Sequence, residues 1–291
     1  MDQTIMQRTV KNTFTAVRDD IADLVTYRAL PTDQVDMIDP FLFLNHHGPQ
    51  VYPPANRGLP FGPHPHRGFE TVTFVIDGDI AHRDSAGHES IIGAQGVQWM
   101  TTGSGLVHSE TSSDAFKASG GDIEILQLWV NLPARLKMIA PRYTGLQGDR
   151  IPVLSTDDGR VRMQLIAGAH NVAGHAPQRA AFDALTDISV QTITLQAGGK
   201  LHLDIPRTHH IFFYVVRGAV GVNGVQGQAR SLLHFADDGE ALDIEAAQDA
   251  LVILCHATPY GEPVVSYGPF VMNTKEEIQT AIDDYRAGRL K

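Results

Sequence analysis

Short apolar segments separated by glycine turns dominate the sequence from Phe69 onward, and this pattern restricts the fold more than any other feature. FETVTFVI ends at Asp77-Gly78, DIAHRD ends shortly before Gly87, and VQWMT ends shortly before Gly103. An apolar or β-branched segment of this length that is bounded by glycine is typical of a β-strand. Strands that recur at such regular spacing predict an all-β fold, either a sandwich or a barrel.

The strand pattern restarts in the second half of the chain after a less regular stretch. ISVQTITL, HHIFFYVVRGAVGV and ALVILCHATP are again short apolar segments with turns between them. The turn glycines Gly78 and Gly218 fall in register when the two halves are aligned, which indicates two copies of one β-unit. We therefore predict one β-domain in 1–143, a connector in 144–160 and a second β-domain in 161–291.

Helical signals are few and confined to two places. Pro133 precedes ARLKMIA and suits the first turn of a short helix, because the N–H that proline lacks would be unpaired there in any case. Near the C-terminus, Thr274 and Glu277 form a capping box, followed by Ile278 and Ala281 at helical spacing. We expect this terminal helix to pack on a barrel.

Charge and cysteine content narrow the class of protein. The net charge is −10 and no basic run occurs, so direct binding to nucleic acid is not expected. The single cysteine, Cys255, lies in an apolar strand and cannot form an internal disulfide, which suits a reducing compartment. The sequence contains neither a signal peptide nor an apolar span of membrane length. The prediction is a cytoplasmic protein that does not contact membranes.

Two pairs of polar residues stand out at strand ends. His64 and His66 flank Pro65, and His108 and Glu110 flank Ser109 after a glycine turn. Residues i and i+2 of an extended chain point to the same side, and Pro65 keeps its neighbourhood extended. With 14 histidines in the chain, roughly 0.7 His-x-His triplets arise by chance. The spacing alone therefore leaves two interpretations, unrelated polar residues or four ligands of one metal.

Several long stretches resemble the pirin family of the cupin superfamily. These are HPHRGFETVTFVIDG, HRDSAGHESIIGAQGVQWMTTGSGLVHSE, LQLWVNLPARLKMIAPRY and GEPVVSYGPFVMNT. The likeness is dense from Asp39 to Tyr143, looser from Val161 to Pro259, and weak in the first thirty residues. Pirins are bicupins, so the resemblance implies two cupin-type β-barrels, with short helices and the C-terminal helix.

The resemblance also implies one mononuclear metal in the N-terminal barrel, held by His64, His66, His108 and Glu110. Mixed nitrogen and oxygen ligands with vacant positions suit Fe(II), although Mn, Ni, Cu or Zn are alternatives. In the second half, counting from the turn glycines places Asp204 and Pro206 where the first half has its His-x-His pair. No second metal is expected there. His209, His210 and His256 are interpreted as packing and hydrogen-bonding residues.

Family members are credited with quercetin 2,3-dioxygenase activity, which uses dioxygen to open the central ring of a flavonol and releases carbon monoxide. The resemblance thus implies a flavonol-like aromatic substrate and O2, with Glu110 as the catalytic base that accepts the flavonol hydroxyl proton. The alternative function is a metal-dependent, redox-sensing regulatory protein that binds a protein partner, because pirins are also described in that role.

Three further predictions concern residues near the metal ligands. His82 and His88, which flank Arg83-Asp84, either support the metal site or stabilise a turn. Arg67 and Glu70 are expected to form a polar pair at the barrel mouth. Trp99 either lines the cavity or fills the core.

Overall fold

The predicted all-β fold of two cupin-type barrels is confirmed. The computed structural model describes residues 6–170, 172, 175–176 and 178–290. In chain order the strands are β1 (Val10–Thr15), β2 (Val17–Arg18), β3 (Thr26–Leu30), β4 (Phe41–Tyr52), β5 (Phe61–His66), β6 (Phe69–Asp77), β7 (Asp79–Asp84), β8 (Glu89–Gly93), β9 (Val97–Thr101), β10 (Leu106–Thr111), β11 (Gly121–Asn131), β12 (Arg142–Leu146), β13 (Val153–Thr156), β14 (Val161–Ala167), β15 (Ser189–Leu195), β16 (Lys200–Asp204), β17 (His210–Arg217), β18 (Ala219–Val222), β19 (Val225–Gln228), β20 (Ser231–Phe235), β21 (Ala241–Ala246), β22 (Ala250–Ala257), β23 (Val265–Tyr267) and β24 (Phe270–Met272).

Helices are short except at the C-terminus. They are α1 (Asp114–Ser119), α2 (Lys275–Arg286) and the 3-10 turns Ala134–Leu136, Gly148–Arg150 and Asp157–Gly159. The helix predicted after Pro133 is therefore only one 3-10 turn. The capping box of α2 is present as predicted, with the Thr274 side chain accepting from the Glu277 backbone N–H. Among the described residues no helix has the length and apolar character needed to cross a membrane.

The chain divides into two compact units whose boundaries differ from the predicted ones. The first barrel unit comprises Arg18–Pro31, Phe41–Asp149 and Tyr260–Lys291, and the second barrel unit comprises Met1–Val17, Thr32–Pro40 and Arg150–Pro259. The N-terminal strand thus belongs to the second unit, where β1 pairs with β20. The C-terminal helix belongs to the first unit. The predicted division kept each terminus with its neighbours in sequence, but these pairings span more than half the chain.

Within the first barrel unit, seven strands form one sheet in the order β12-β9-β6-β11-β4-β3-β2, and four form another in the order β5-β10-β7-β8. Helix α2 packs on strands β23 and β24 through a cluster that includes Phe270, Ile278 and Ala281, against which Val107 of β10 also packs. The predicted packing of the terminal helix on a barrel is correct, although the barrel is the first one.

The second barrel unit repeats this topology strand for strand. Its sheets have the orders β1-β20-β17-β22-β15-β14-β13 and β16-β21-β18-β19. Gly78 and Gly218 join equivalent strand pairs with φ angles of 81° and 77°, a left-handed conformation that favours glycine. The internal repeat predicted from these two turns is therefore present in the strand order.

Arg8 anchors the N-terminal segment to the second barrel unit. Its guanidinium is fully buried and donates to the carbonyls of Pro206, Arg207, His209 and Ala236, and it pairs with Asp237 at 2.9 Å. Because a buried acceptor that loses its donor pays a desolvation cost, the stability of this unit depends on Arg8.

We predict that Arg8→Met lowers the free energy of unfolding of the second barrel unit by about 3 kcal/mol, because several buried carbonyls lose their donor. Urea denaturation measures the change. Arg18→Met is the control, since Arg18 pairs with Asp20 on the exposed surface, and its midpoint should equal that of the wild type. Equal midpoints for both variants would contradict the anchoring role.

Candidate metal centre

Strand register brings three histidines together on the inner face of the small sheet. On β5 and β10, His64 lies directly opposite His108, and His66 is two residues along β5 on the same side. The ring centroids are 4.4 Å apart for His64 and His108, 4.8 Å for His64 and His66, and 4.9 Å for His66 and His108. Their ligand nitrogens lie within 4.8 Å of one another.

Hydrogen bonds fix which ring nitrogen of His64 and His66 is free. The Nδ1 of His64 is 2.7 Å from the Gly62 carbonyl, and the Nδ1 of His66 is 3.3 Å from the Pro269 carbonyl. A carbonyl only accepts, so each Nδ1 carries the proton and each Nε2 keeps its lone pair. The buried Nε2 of His66 has no hydrogen-bond partner among the described residues, which is the state of a nitrogen prepared for a metal.

His108 is oriented by a chain of two further side chains. The Asp84 carboxylate accepts from Nε2 of His82 at 3.2 Å, and Nδ1 of His82 lies 3.5 Å from Nδ1 of His108. With Nε2 of His82 donating, its Nδ1 is the acceptor, and the proton between the rings belongs to His108. The Nε2 of His108 is then a lone-pair donor, and it too has no partner within the described part of the chain.

The sequence predicts that His82 and His88 either support the metal site or stabilise a turn. In the structure His82 contacts a candidate ligand, whereas His88 stabilises the turn. His82 supports His108, and its ring stacks on Tyr143 at a centroid distance of 3.9 Å. His88 donates from its backbone N–H and contacts Asp84 through Nδ1 at 2.9 Å, which closes the turn. Burial alone would raise the pKa of Asp84, but hydrogen bonds from His88 and His82 hold it below its usual value.

Burial keeps the three histidines neutral. It lowers the pKa of His66 to about 3, with a smaller contribution from His64. It also lowers the pKa of His64, and it places the pKa of His108 well below the usual value with help from the neighbouring rings. A neutral imidazole is the form that binds a metal. The group is therefore ready to bind a metal at neutral pH without losing protons.

Glu110 is buried beside the histidines, in a group that overlaps theirs. It lies opposite His82 across β10 and β7, and its carboxylate is within 4.8 Å of ligand nitrogens of His82 and His108. The structure thus gathers His64, His66 and His108 in one group and places Glu110 in a second group that shares His108. Burial raises the pKa of Glu110 to about 7, although hydrogen bonds oppose the shift.

Three polar side chains that the sequence interpretation missed hold Glu110. Its Oε1 accepts from Gln98 and, at 3.4 Å, from Thr73, and its Oε2 accepts from Gln127 at 2.5 Å. The Tyr143 hydroxyl donates to Oε1 of Gln98 and the Trp129 indole donates to Oε1 of Gln127. Both amide groups are therefore turned with N–H toward the carboxylate. The available signal was one glutamine inside each of two apolar strands, VQWMT and LQLWV.

Trp129, and not Trp99, lies at the site. Its ring is 5.3 Å from that of His66 and stacks on Phe43 at 4.5 Å, and both aromatic residues are half-buried. Trp99 is on the opposite face of β9 from Gln98, and it hydrogen-bonds Glu70. The interpretation of Trp99 as a core residue is therefore the correct one. Together, Phe43 and Trp129 form an aromatic ledge beside the histidines.

The predicted pair of Arg67 and Glu70 is wrong. Arg67 donates to Asp284 of α2 at 2.8 Å and to the Ser104 carbonyl, whereas Glu70 accepts from Thr101 at 2.6 Å. The chain passes from the small sheet to the large sheet between them, since β5 ends at His66, Gly68 has a φ of +89° and β6 begins at Phe69.

In the second barrel unit, the positions equivalent to the candidate metal ligands of the first unit hold aliphatic residues. Leu203 faces Leu242 as His64 faces His108, and Ile244 faces Val222 as Glu110 faces His82. The predicted counterparts Asp204 and Pro206 are therefore displaced from the equivalent positions, because counting from the turn glycines did not follow the strand register. His209 contacts His256 at 2.9 Å, and His210 donates to the Asp39 carbonyl at 2.8 Å, which fits their predicted hydrogen-bonding role. Cys255 is fully buried, as predicted.

Known proteins share both sequence and fold with this chain. Residues 23–130 match the pirin family and residues 190–291 match the pirin C-terminal cupin domain. A Pseudomonas aeruginosa protein provisionally named quercetin 2,3-dioxygenase is 40% identical over 87% of this chain and 86% of its own length. A pirin-like protein of Caulobacter vibrioides is 39% identical over 90% of this chain and 91% of its own length. The crystal structure of quercetin 2,3-dioxygenase from Acinetobacter baumannii, 32% identical, superposes with a TM-score of 0.87 over 98% of this chain and 99% of that one. The chain belongs to the pirin family.

Proposed function

We propose that this protein is a metal-dependent dioxygenase that opens the central ring of a flavonol with O2. The observation that carries the proposal is the pair of buried, unbonded Nε2 atoms on His66 and His108, adjacent to the buried carboxylate of Glu110. Relatives and a structural neighbour bear the name quercetin 2,3-dioxygenase, which supports the same substrate class.

The donor set fits one divalent transition metal. His64, His66 and His108 offer neutral imidazole nitrogens, and Glu110 places a carboxylate oxygen within 4.8 Å of a ligand nitrogen of His108. The sole cysteine is buried in the other unit, so thiolate ligands are absent from the set. Three nitrogens and one oxygen with open positions suit Fe(II), whereas Mn, Ni, Cu or Zn are accepted by similar donors. We therefore assign Fe(II) as the preferred metal.

The metal would supply a Lewis-acidic, redox-active centre for the flavonol oxygen and O2. The protein's own residues then bind the substrate and move one proton. The aromatic ledge of Phe43 and Trp129 provides a flat face against which the flavonol rings stack. Oε2 of Glu110 accepts the flavonol hydroxyl proton, and a pKa of about 7 suits a general base at neutral pH. Gln98 and Gln127 hold the carboxylate in place through this transfer.

We predict one bound transition metal per wild-type chain after reconstitution with Fe(II), and less than a tenth of that amount in His108→Ala. The variant removes a nitrogen from the centre of the group. Metal content is measured by mass spectrometry after gel filtration. His202→Ala is the control because His202 is an exposed residue of the second unit. Full metal retention in His108→Ala would exclude this metal centre.

We predict that Asp84→Asn weakens metal binding about 10-fold to 100-fold, because the chain through His82 no longer fixes the tautomer of His108. Competition titration with Ni(II) measures the affinity, and ¹⁵N chemical shifts of His108 in the metal-free protein report its tautomer. The exposed Asp122→Asn variant is the control. An unchanged affinity together with an unchanged His108 tautomer would show that Asp84 serves the turn alone.

We predict that metal affinity rises with pH through about 7 in the wild type but not in Glu110→Gln. Glu110 must lose its proton to bind a cation, and its pKa is raised to about 7, so protonation opposes binding below that pH. Burial lowers the pKa values of His64, His66 and His108, so the change near pH 7 is assigned to Glu110. Competition titrations between pH 5.5 and 8.5 measure both proteins. Parallel profiles would remove Glu110 from the ligand set.

The function itself is tested with quercetin and the Fe(II)-loaded protein. We expect O2 uptake matched by an equal release of carbon monoxide, and a rate about 10²-fold to 10⁴-fold lower in Glu110→Gln. Metal-free protein is the blank. Bound metal without turnover of quercetin or related flavonols would favour the alternative of a redox-sensing regulatory protein.

A further inference from the structure

The second barrel unit contains a cavity that has no part in the proposed reaction. Its volume is about 250 Å³, and it lies where strand β15 begins and strands β16 and β22 end. This volume is below the roughly 300 to 1,000 Å³ of pockets for drug-sized ligands, yet a cavity of about 150 Å³ is known to admit benzene. The space therefore matches a ligand with a single ring.

Two polar atoms in the lining lack partners. His170 is 9% exposed and Gln191 is 2% exposed, and both side chains line the cavity. His170 and Gln191 are close enough to interact with each other, but neither Nε2 of His170 nor Oε1 of Gln191 makes a hydrogen bond of good geometry with a residue that the structure describes. Because a buried polar group without a partner is costly, these atoms indicate a ligand that offers at least one N–H or O–H group.

The charge of the lining selects against anions. Neither lysine nor arginine is among the described lining residues, whereas Asp187 and Asp204 are. Burial lowers the pKa of His170, and it lowers the pKa of His256 to about 3, so these rings are neutral. Met163, Leu203 and Ile205 supply apolar wall. The site thus combines an apolar body with hydrogen-bond acceptors and has no cationic side chain in its described lining, since the Arg8 guanidinium behind the rim is paired with Asp237.

The rim of the cavity is held in place by surrounding residues. Arg8 donates to the carbonyls of Pro206 and His209, which line one side. On the other side, Ser189 donates to the Ala169 carbonyl at 2.9 Å. A site whose rim is fixed before binding loses less conformational entropy when the ligand enters.

The polar groups here are not arranged for a metal. His209 and His256 contact each other through Nδ1, and the described His, Asp and Glu residues that gather at metal-ligand distances all belong to the first barrel unit. An organic ligand is therefore the better match for this cavity.

We propose that the cavity of the second barrel unit is a binding site for a small monocyclic molecule that carries a hydroxyl donor and no negative charge, with Gln191 and His170 as its hydrogen-bond partners. The site is independent of the proposed dioxygenase activity. Phenol is the probe, toluene is the matched ring without a donor, and benzoate is the matched ring with negative charge.

The experiment is an NMR titration of the metal-loaded full-length protein with ¹³C-methyl methionine, repeated in His108→Ala so that binding at the metal centre is excluded. We expect saturable phenol binding with a Kd on the order of 1 mM, and cross-peaks from the phenol ring to the Met163 methyl group. Met163→Leu assigns that signal. Toluene and benzoate should bind at least tenfold more weakly.

The acceptor is tested with a matched pair of variants. Gln191→Met removes the acceptor at similar volume and should weaken phenol binding at least tenfold, whereas Gln226→Met, on the exposed strand β19, should not change it. The proposal fails if phenol gives no cross-peak to Met163, if benzoate binds as tightly, or if Gln191→Met binds phenol as the wild type does. The wild-type cross-peaks decide the matter if Gln191→Met does not fold.

Discussion

The exclusion of water from one end of a β-barrel is the physical condition on which the candidate metal centre depends. Burial makes a charged imidazole unfavourable, so His66 and His108 present lone pairs at neutral pH. The same burial makes a charged carboxylate unfavourable, which is why Glu110 needs hydrogen bonds from Thr73, Gln98 and Gln127. A cation would satisfy both conditions at once, since it takes the lone pairs and offsets the negative charge. The stability of these buried histidines and the buried carboxylate therefore depends on how well a bound cation compensates for their lost hydration.

The two barrels show how one topology is adapted to two interiors. In the first, a row of polar residues crosses the large sheet through Gln127, Thr73 and Gln98. In the second, the register gives Leu254, Phe213 and Leu233 the same places. The change from glutamine and threonine to leucine and phenylalanine removes the support for a carboxylate, and the ligand positions have become aliphatic as well. The second barrel thus keeps the strand order of a metal-binding fold with a largely apolar core.

Much of this architecture follows from local sequence signals, because strand parity and turn glycines act over a few residues. The strands of VQWMT and DIAHRD have the predicted bounds, and the alternation of His64 with His66 placed both on one face. Pairings between residues far apart in the chain could not be predicted from the sequence. Strand β4 contains Gly48 and Pro49, which resemble a turn in the sequence. Arg67 pairs with Asp284 and β1 pairs with β20, and both partners lie about two hundred residues away along the chain. The orientation of His108 depends on His82 and Asp84, and only the three-dimensional register shows that these three residues meet.

The exchange of chain ends between the units has a consequence for biosynthesis. Domains of many proteins fold in turn as they leave the ribosome. Here Arg67 of the first barrel unit pairs with Asp284, which follows the whole second barrel unit in the chain, and the second barrel unit takes its edge strand β1 from a segment that precedes the first. The first barrel unit therefore lacks helix α2 until the whole second barrel unit has been made, and strand β1 has no partner until β20 follows it. A growing chain thus carries an unpaired β-sheet edge, which exposes it to chaperones and to aggregation.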